Sequence, residues 1–312
     1  MLYPGLYEQV INNALNRELA EIPEARKSTA PIDTAEAAKV LAQYLTDVVQ
    51  KGLENVQDNG GGIEAQIQLA NQIVTTIQNT TQEVDFASLG VDQRAEQLLA
   101  LLQQNDPSLA TGKSAKDLDR PETSIAQSSL FTGAIHEPQM YTELKKEIVS
   151  ADHIDMLVSF IKWSGLRLIM DELRQFAQSG GELRIITTSY MGATDVKAIE
   201  ELRALPNTKI KVSYDTKRTR LPAKTYVFYR GTGFTTAYVG SSNLSNAAIS
   251  SGLEWNVKVT RKDLPETIEK IAATFESYWN SSEFEYYDEG QRERLTRALK
   301  AEKYSETDHS GI

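Results

Sequence analysis

The sequence predicts an α/β protein in which a layered sheet flanked by helices is preceded by a small N-terminal helical bundle. Two observations support this fold class. Apolar residues recur at helical spacing through the first third of the chain, and from about residue 130 short apolar strands alternate with amphipathic helices. Such alternation is typical of a sheet with helices packed on its faces.

The bundle is predicted first along the chain. Residues 35–56 carry apolar side chains at helical spacing, Gly60-Gly61-Gly62 breaks the pattern, and a second helix follows from Ile63. Residues 91–102 predict one more short helix, which Asn105-Asp106-Pro107 stops. We therefore expect two packed helices joined by a glycine turn, and a third helix after them.

The layered sheet is predicted from the alternation that follows. Two glycines, Gly180-Gly181, end its first long helix, and Arg230-Gly231-Thr232-Gly233 is typical of a hairpin turn. The predicted strands are 154–160, 183–187, 210–214, 224–228, 235–239 and 253–259, and the predicted helices are 164–178, 195–205, 264–279 and 292–300.

These elements divide into four predicted regions. Residues 1–105 form an N-terminal helical domain, and 106–127, rich in Ser, Lys and Asp, form a linker. Residues 128–290 form the layered sheet domain, and 291–312 form a C-terminal helix and tail.

Composition limits the chemistry. The 312 residues include no cysteine, which excludes disulfides and thiolate metal sites, and the three histidines, His136, His153 and His309, show no metal-ligand spacing. We therefore expect no cofactor and no metal. The sequence has no apolar run of membrane-spanning length and no signal peptide, so we expect a cytoplasmic protein without a membrane partner.

The net charge of −10 argues against a nucleic-acid partner, because nucleic-acid binding needs cations against phosphates. One stretch departs from this average, since residues 207–230 hold seven cations against one acid, Asp215. Within it, Lys217, Arg218 and Arg220 are the candidate nucleic-acid-binding residues. The alternative is an ordinary solvated strand edge. The seven cations are Lys209, Lys211, Lys217, Arg218, Arg220, Lys224 and Arg230.

The strongest functional signal combines Lys224, Gly240-Ser241-Ser242-Asn243 and Glu254. A phosphodiester needs donors that neutralise charge on its non-bridging oxygens, and a lysine and an asparagine amide supply them. A hydroxyl and an acid can hold such donors in place. Taken alone, the Gly-Ser-Ser-Asn segment is better explained as a strand-to-helix turn with a capping side chain.

Together these residues resemble the phospholipase D-like superfamily, in which a His-x-Lys pair precedes Gly-Ser-x-Asn and a later acid. The resemblance implies catalytic positions at Pro222, Lys224, Ser241, Asn243 and Glu254. In that family the histidine attacks phosphorus, a second histidine protonates the leaving oxygen, and no metal is used. Here Pro222 occupies the nucleophile's position, and Tyr229 stands where the family usually has an acid after the lysine.

Residues 130–287 further resemble the phospholipase D-like nuclease module that precedes the motor of certain bacterial superfamily II (DEAD/DEAH-type) helicases. The resemblance implies a DNA partner, a fused or separate helicase, and a homodimer that builds one shared site from two copies. No motor motif occurs in the sequence, so we expect either a fragment or a stand-alone relative. The similar segments are Ser129-Leu130-Phe131-Thr132-Gly133, Val158-Ser159-Phe160-Ile161-Lys162-Trp163-Ser164-Gly165, Thr187-Thr188-Ser189-Tyr190-Met191-Gly192-Ala193 and Gly252-Leu253-Glu254-Trp255-Asn256.

Three function classes follow. The first is a metal-independent nuclease acting on DNA that Pro222 renders inactive. The second is a non-catalytic DNA-binding or dimerisation module that targets a helicase. The third is a lipid phosphodiesterase, which the lack of a basic, aromatic amphipathic helix disfavours. Trp163, Tyr226 and Trp255 are candidates for stacking on bases, and core packing is the alternative for each.

Overall fold

The structure, a computed structural model, describes residues 2–82, 85–218, 221, 223–251 and 253–309. It divides the chain into two compact units, Met1–Leu101 and Leu102–Ile312. The finer domain boundaries at 105, 127 and 290 stay predictions. In the described parts of the chain, no helix combines the length and the apolar character that a bilayer crossing requires.

Among its described residues, the first unit has the α-helices α1 (Asn13–Ala20), α2 (Ala37–Asp58) and α3 (Ile63–Thr81). The predicted glycine turn joins α2 to α3, and Gly60 has a φ of 83°, which favours glycine. The helix predicted over residues 91–102 is absent from the structure. Asp92 instead accepts a hydrogen bond from the Arg94 backbone at 3.0 Å, and Ala95 has a φ of 54°, so a local turn replaces the helix.

The second unit contains an eight-stranded mixed sheet flanked by helices, which confirms the predicted fold class. The strands lie in the order β1-β7-β6-β5-β2-β3-β4-β8; β2, β3 and β4 are parallel, and the other neighbours are antiparallel. The elements in chain order are α4 (Pro107–Ala110), β1 (Ser129–Phe131), α5 (Met140–Ser150), β2 (His153–Leu157), α6 (Trp163–Leu166), α7 (Met170–Gln178), β3 (Glu182–Thr188), α8 (Val196–Arg203), β4 (Thr208–Ser213), β5 (Lys224–Tyr229), β6 (Thr236–Gly240), β7 (Asn256–Thr260), α9 (Pro265–Trp279), β8 (Glu285–Tyr286) and α10 (Arg292–His309).

These elements follow the predicted alternation, with changes in bounds and with four elements that were not predicted, α4, β1, α5 and β8. The helix predicted over 164–178 is split into α6 and α7, and the strand predicted over 253–259 begins at Asn256. The short helix expected after Asn243 is a π-helical turn, Ala247–Ser251.

The two faces of the sheet are covered unequally. Helices α5 and α7 pack on one face through a large core that includes Leu144, Ile148 and Leu173. On the other face, Ile268 of α9 packs on Val227, Ala237 and Val259. Farther along α9, its aromatic residues pack on a different part of the sheet, and this cluster comprises Leu157, Ile186, Leu221, Phe275, Trp279 and Phe284.

A buried charge network fastens α5 to the sheet. The carboxylate of Glu147 is fully buried and lies 2.6 Å from Arg230 and 2.8 Å from Lys258. It also accepts hydrogen bonds from the hydroxyls of Tyr238 at 2.8 Å and Thr236 at 2.7 Å. Burial acts to raise the pKa of Glu147, but the two cations overcome this and lower the pKa below its ordinary value.

Candidate active site

The sheet register brings the predicted catalytic residues to one edge. Leu157, which ends β2, pairs with Thr225 near the start of β5. Lys224 pairs with Gly240, and Gly240 pairs with Asn256 at the start of β7. The segments that carry Lys224, Ser241, Asn243 and Glu254 therefore meet where these four strands begin or end.

Gly240 allows the last strands to approach closely at this edge. A Cβ atom on Gly240 would lie 2.2 Å from the Trp255 carbonyl oxygen, which no larger residue can accommodate without moving the backbone. The backbone N–H of Ser241 donates to the same oxygen at 3.3 Å. The Ser241 hydroxyl donates to the carboxylate of Glu254, so the hydroxyl and the acid predicted to support the site are hydrogen-bonded to each other.

Asn243 is held by the chain that follows β2. Its side-chain oxygen accepts hydrogen bonds from the backbone N–H groups of Ser159 at 2.9 Å and Phe160 at 3.2 Å. Because the oxygen end of the amide is engaged, its NH₂ end remains the donor that can serve another group. Asn243 is buried, so this orientation is fixed by the protein rather than by solvent.

Ser159 connects the site to two further segments. Its hydroxyl donates to the carbonyl oxygen of Leu221, the residue before Pro222, and its own carbonyl oxygen accepts from the Thr188 hydroxyl at 2.8 Å. Sequence reasoning did not assign a role to Ser159. The signal available was its place directly after an apolar strand, where functional side chains of layered sheets are often found.

Ser242 is a second supporting residue that the sequence did not reveal. It is fully buried, its hydroxyl accepts from the Asn256 side chain at 2.7 Å, and its carbonyl oxygen accepts from the Tyr226 hydroxyl at 2.7 Å. Tyr226 is itself fully buried, so the base-stacking alternative is wrong for this residue and the core alternative is correct.

Lys224 supplies the positive charge of the site and is half-buried. Burial lowers the pKa of its ammonium group, and the nearby carboxylate of Glu254 acts in the opposite direction. A lysine ammonium group at this position can stabilise charge on a bound phosphate.

Several predicted positions lie elsewhere. Pro222 and Arg220 fall outside the described residues. Tyr229 ends β5 at the edge opposite Lys224, with its ring 5.2 Å from that of His153. His153 begins β2 at that same opposite edge and bonds Asp155 at 2.7 Å, whereas His136 is exposed in the turn after β1.

The basic stretch is not one surface. Lys211 is buried and donates to the Trp279 carbonyl oxygen, and Arg230 is buried against Glu147, so neither is available to a nucleic acid. The expectation of a continuous basic cluster is wrong for these two residues because they lie in or next to strands and point inward. Lys217 and Arg218 are exposed after β4, where Asp215 accepts from both of their backbone N–H groups.

The two remaining aromatic candidates differ. Trp255 is 63% exposed beside Glu254, and Leu253 on the other side of Glu254 is 83% exposed. Trp163 is half-buried and has the ammonium of Lys197 4.5 Å from its ring centre. Within the part of the chain that the structure describes, no group of three or more carboxylate or histidine side chains is arranged to hold a metal ion.

Comparison with known proteins finds one family similarity in this region. Residues 144–279 match the family described as "Cardiolipin synthase, PLD-like domain", so this segment is similar to phospholipase D-like domains. The match covers less than half of the chain. No curated protein sequence matches the chain significantly.

Solved structures give distant similarities. NucT from Helicobacter pylori is 21% identical, with a TM-score of 0.39, over 48% of this chain and 94% of its own. Nuc from Salmonella typhimurium, a phospholipase D family member, is 19% identical, with a TM-score of 0.39, over 52% of this chain and 99% of its own. A phosphatidylserine synthase from Haemophilus influenzae is 11% identical, with a TM-score of 0.37, over 57% of this chain and 46% of its own. These similarities are too remote to assign an activity.

Proposed function

We propose that the chain is a phospholipase D-like nuclease module for DNA. It retains the phosphodiester-binding site, but its nuclease chemistry is disabled at position 222. The observation that carries this proposal is the convergence of Lys224, Asn243 and the Ser241–Glu254 pair at one sheet edge. The lysine ammonium and the asparagine NH₂ are the donors that a phosphodiester's non-bridging oxygens require. The serine hydroxyl and the glutamate support them.

The missing step is attack on phosphorus. In the family that the site resembles, a histidine nitrogen at the position of Pro222 forms a bond to phosphorus while the P–O ester bond breaks. A second histidine protonates the leaving oxygen, and water then releases the product. The nitrogen of proline is part of a peptide bond and has no free electron pair for attack. The proposal therefore retains the phosphate-binding geometry and excludes this covalent route through residue 222.

We also propose a homodimer with a shared site. An apolar part of the sheet beside the site supports it, since Leu130 and Val257 are cross-strand partners and are 45% and 44% exposed. Trp255 and Leu253 extend the same alternation toward the site. An exposed apolar strip of this kind is typical of an association surface. A second copy covering it would bring two Lys224 and two Asn243 side chains toward one phosphate.

The second candidate is a non-catalytic DNA-binding or dimerisation module that targets a fused or separate helicase. Pro222 favours it, because a site that retains phosphate donors without a nucleophile can bind a strand but cannot cut it by this route. In this candidate the catalytic activity belongs to the associated helicase. The two candidates share the binding site and differ only in whether cleavage is recoverable.

Nuclease activity of Pro222→His tests the choice between them. The variant is assayed beside the unaltered chain on single-stranded and duplex DNA with EDTA present. Pro222→Ala is the matched control, because it also removes proline but supplies no nucleophile. A Lys224→Met change added to Pro222→His tests whether any cleavage uses the described site.

Cleavage by Pro222→His alone, lost again with Lys224→Met, would support a nuclease module disabled at its nucleophile. If no variant cleaves DNA but salt-sensitive DNA binding is retained, the result would favour the non-catalytic module. If a folded chain neither cleaves nor binds DNA, both candidates are wrong.

A further inference from the structure

A second group of cations lies next to the site, outside the stretch that the sequence singled out. Lys162 lies two residues after Phe160, whose backbone N–H donates to the Asn243 side chain at 3.2 Å. The backbone N–H of Lys162 itself donates to the Leu244 carbonyl oxygen at 2.8 Å. Lys162 is thus fixed by its backbone to the residue that follows Asn243, and its side chain is exposed at the rim of the site.

Lys197 joins this group from helix α8. Its ammonium lies 4.5 Å from the ring centre of Trp163, the neighbour of Lys162. Two bonds involving Asp195 hold the loops together: its backbone N–H donates to the Ile161 carbonyl oxygen at 2.8 Å, and its carboxylate accepts from the Trp163 backbone at 2.7 Å. We call Lys162, Trp163 and Lys197 the rim patch.

The close approach of the backbone at Gly165 keeps the rim patch against the site. A Cβ atom on Gly165 would lie 2.4 Å from the Ser245 backbone nitrogen, so α6 touches the segment after Asn243 directly. The position of the rim patch relative to Asn243 is therefore set by backbone contacts rather than by flexible side chains.

The rim patch is electrostatically available to a ligand. Among the described residues, the ammonium groups of Lys162 and Lys197 contact aromatic rings, at 5.9 Å from Phe160 and 4.5 Å from Trp163, and form no ion pair. Asp195 is the acid between them, and the Trp163 backbone N–H engages its carboxylate. These two exposed cations give the rim patch local positive charge, although the chain has a net charge of −10.

We propose that the rim patch binds the phosphates of a DNA strand that flank the phosphate held at Lys224 and Asn243, an inference that rests on the proposed function. A glycerophospholipid with a single phosphodiester group presents one phosphate, which the site donors would already engage. A second pair of cations beside the first site serves a ligand with a row of phosphates. Trp163 positions Lys197 through its ring face, which favours a cation there.

The test is the salt dependence of DNA binding by Lys162→Gln/Lys197→Gln, measured by fluorescence anisotropy with a labelled single strand. The matched control is Lys209→Gln/Lys262→Gln, since both lysines are exposed at the opposite edge of the sheet. Lys262 lies 4.8 Å from the Phe234 ring, so the control also removes one cation–aromatic contact. Thermal unfolding of each variant verifies the fold.

Each lost phosphate contact makes the negative slope of log K against log salt shallower by about 0.7 for a single strand. The slope of the rim variant should therefore be shallower by roughly 1.4. At 0.1 M salt the same relation makes binding about 25-fold weaker. The control should match the unaltered chain. A rim variant that binds like the control, while the unaltered chain binds DNA, would overturn the rim patch alone. Absence of DNA binding by the unaltered chain would overturn the proposed function as well.

Discussion

Replacing Asn243 by alanine tests how the site is built. The change removes the oxygen that accepts from the backbones of Ser159 and Phe160, and it leaves two N–H groups without that partner. An unsatisfied buried donor costs about 1–3 kcal/mol, and the longer bond to the half-buried Phe160 counts at the low end, so the loss should be about 2–4 kcal/mol. For a unit of this size the midpoint of thermal unfolding should fall by roughly 5–15 °C.

Asn243→Asp separates support from function. Aspartate keeps an oxygen in place for both backbone donors, so the variant leaves neither N–H group without its partner. It loses the NH₂ donor and places a negative charge beside the phosphate, so DNA binding should disappear. Alanine is therefore expected to affect stability, and aspartate is expected to affect binding.

Thermal unfolding and DNA-binding anisotropy measure the two effects on the same samples. Asn280→Ala is the stability control, because Asn280 is exposed and its side chain donates to the Glu276 carbonyl oxygen of the preceding helix at 2.9 Å. If Asn243→Ala unfolds at the same temperature as this control, the two backbone bonds do not support the site as argued. If Asn243→Asp binds DNA normally, the asparagine is not a phosphate donor.

Two further predictions concern the scaffold. Gly165→Ala should destabilise the sheet unit by about 1–3 kcal/mol, because its Cβ would overlap the Ser245 backbone. Gly231→Ala is the control, since Gly231 has room for a Cβ. Equal unfolding midpoints for the two variants would contradict this prediction. Stability should fall on acidification, since the pKa of Glu147 is lowered in the folded state: its contribution is complete above the ordinary value of 4.5 and is lost as pH falls through the lower folded pKa. Glu147→Gln should cost about 3–5 kcal/mol at neutral pH and flatten that acid dependence, and an unchanged pH profile in denaturant titrations would refute the role of this carboxylate.

The sheet could be predicted from sequence because burial of one or both faces of a strand sets the spacing of its apolar residues. Apolar residues recur at alternate positions around Ile154, Ile185 and Ile210, and in the structure these segments are the central strands, whose apolar side chains are buried. The helix predicted over residues 91–102 failed for a local reason. Asp92 bonds the backbone two residues on, and such bonds compete with helix hydrogen bonds.

The donors of the candidate site and the supporting Ser241–Glu254 pair were predictable, but the supporting residues Ser159 and Ser242 were not. Lys224, Asn243 and Glu254 belong to a spacing with chemical meaning, whereas Ser159 contributes mainly through backbone geometry, which spacing does not encode. Charge counting also misled, because Lys211 lies in a strand whose side chains are buried. The rim patch was overlooked for the converse reason, since its two lysines are far apart in sequence.

The hydrogen bonds around Ser159 and Asn243 have a consequence for how such a site can change over time. They join backbone groups and the side chains of residues 159, 188 and 243, and a proline side chain has no atom that could take part in them. Exchange between histidine and proline at position 222 therefore removes none of the atoms that form these bonds. If the proposed function is right, one substitution at position 222 removes cleavage while phosphate binding is kept, and the reverse substitution restores cleavage.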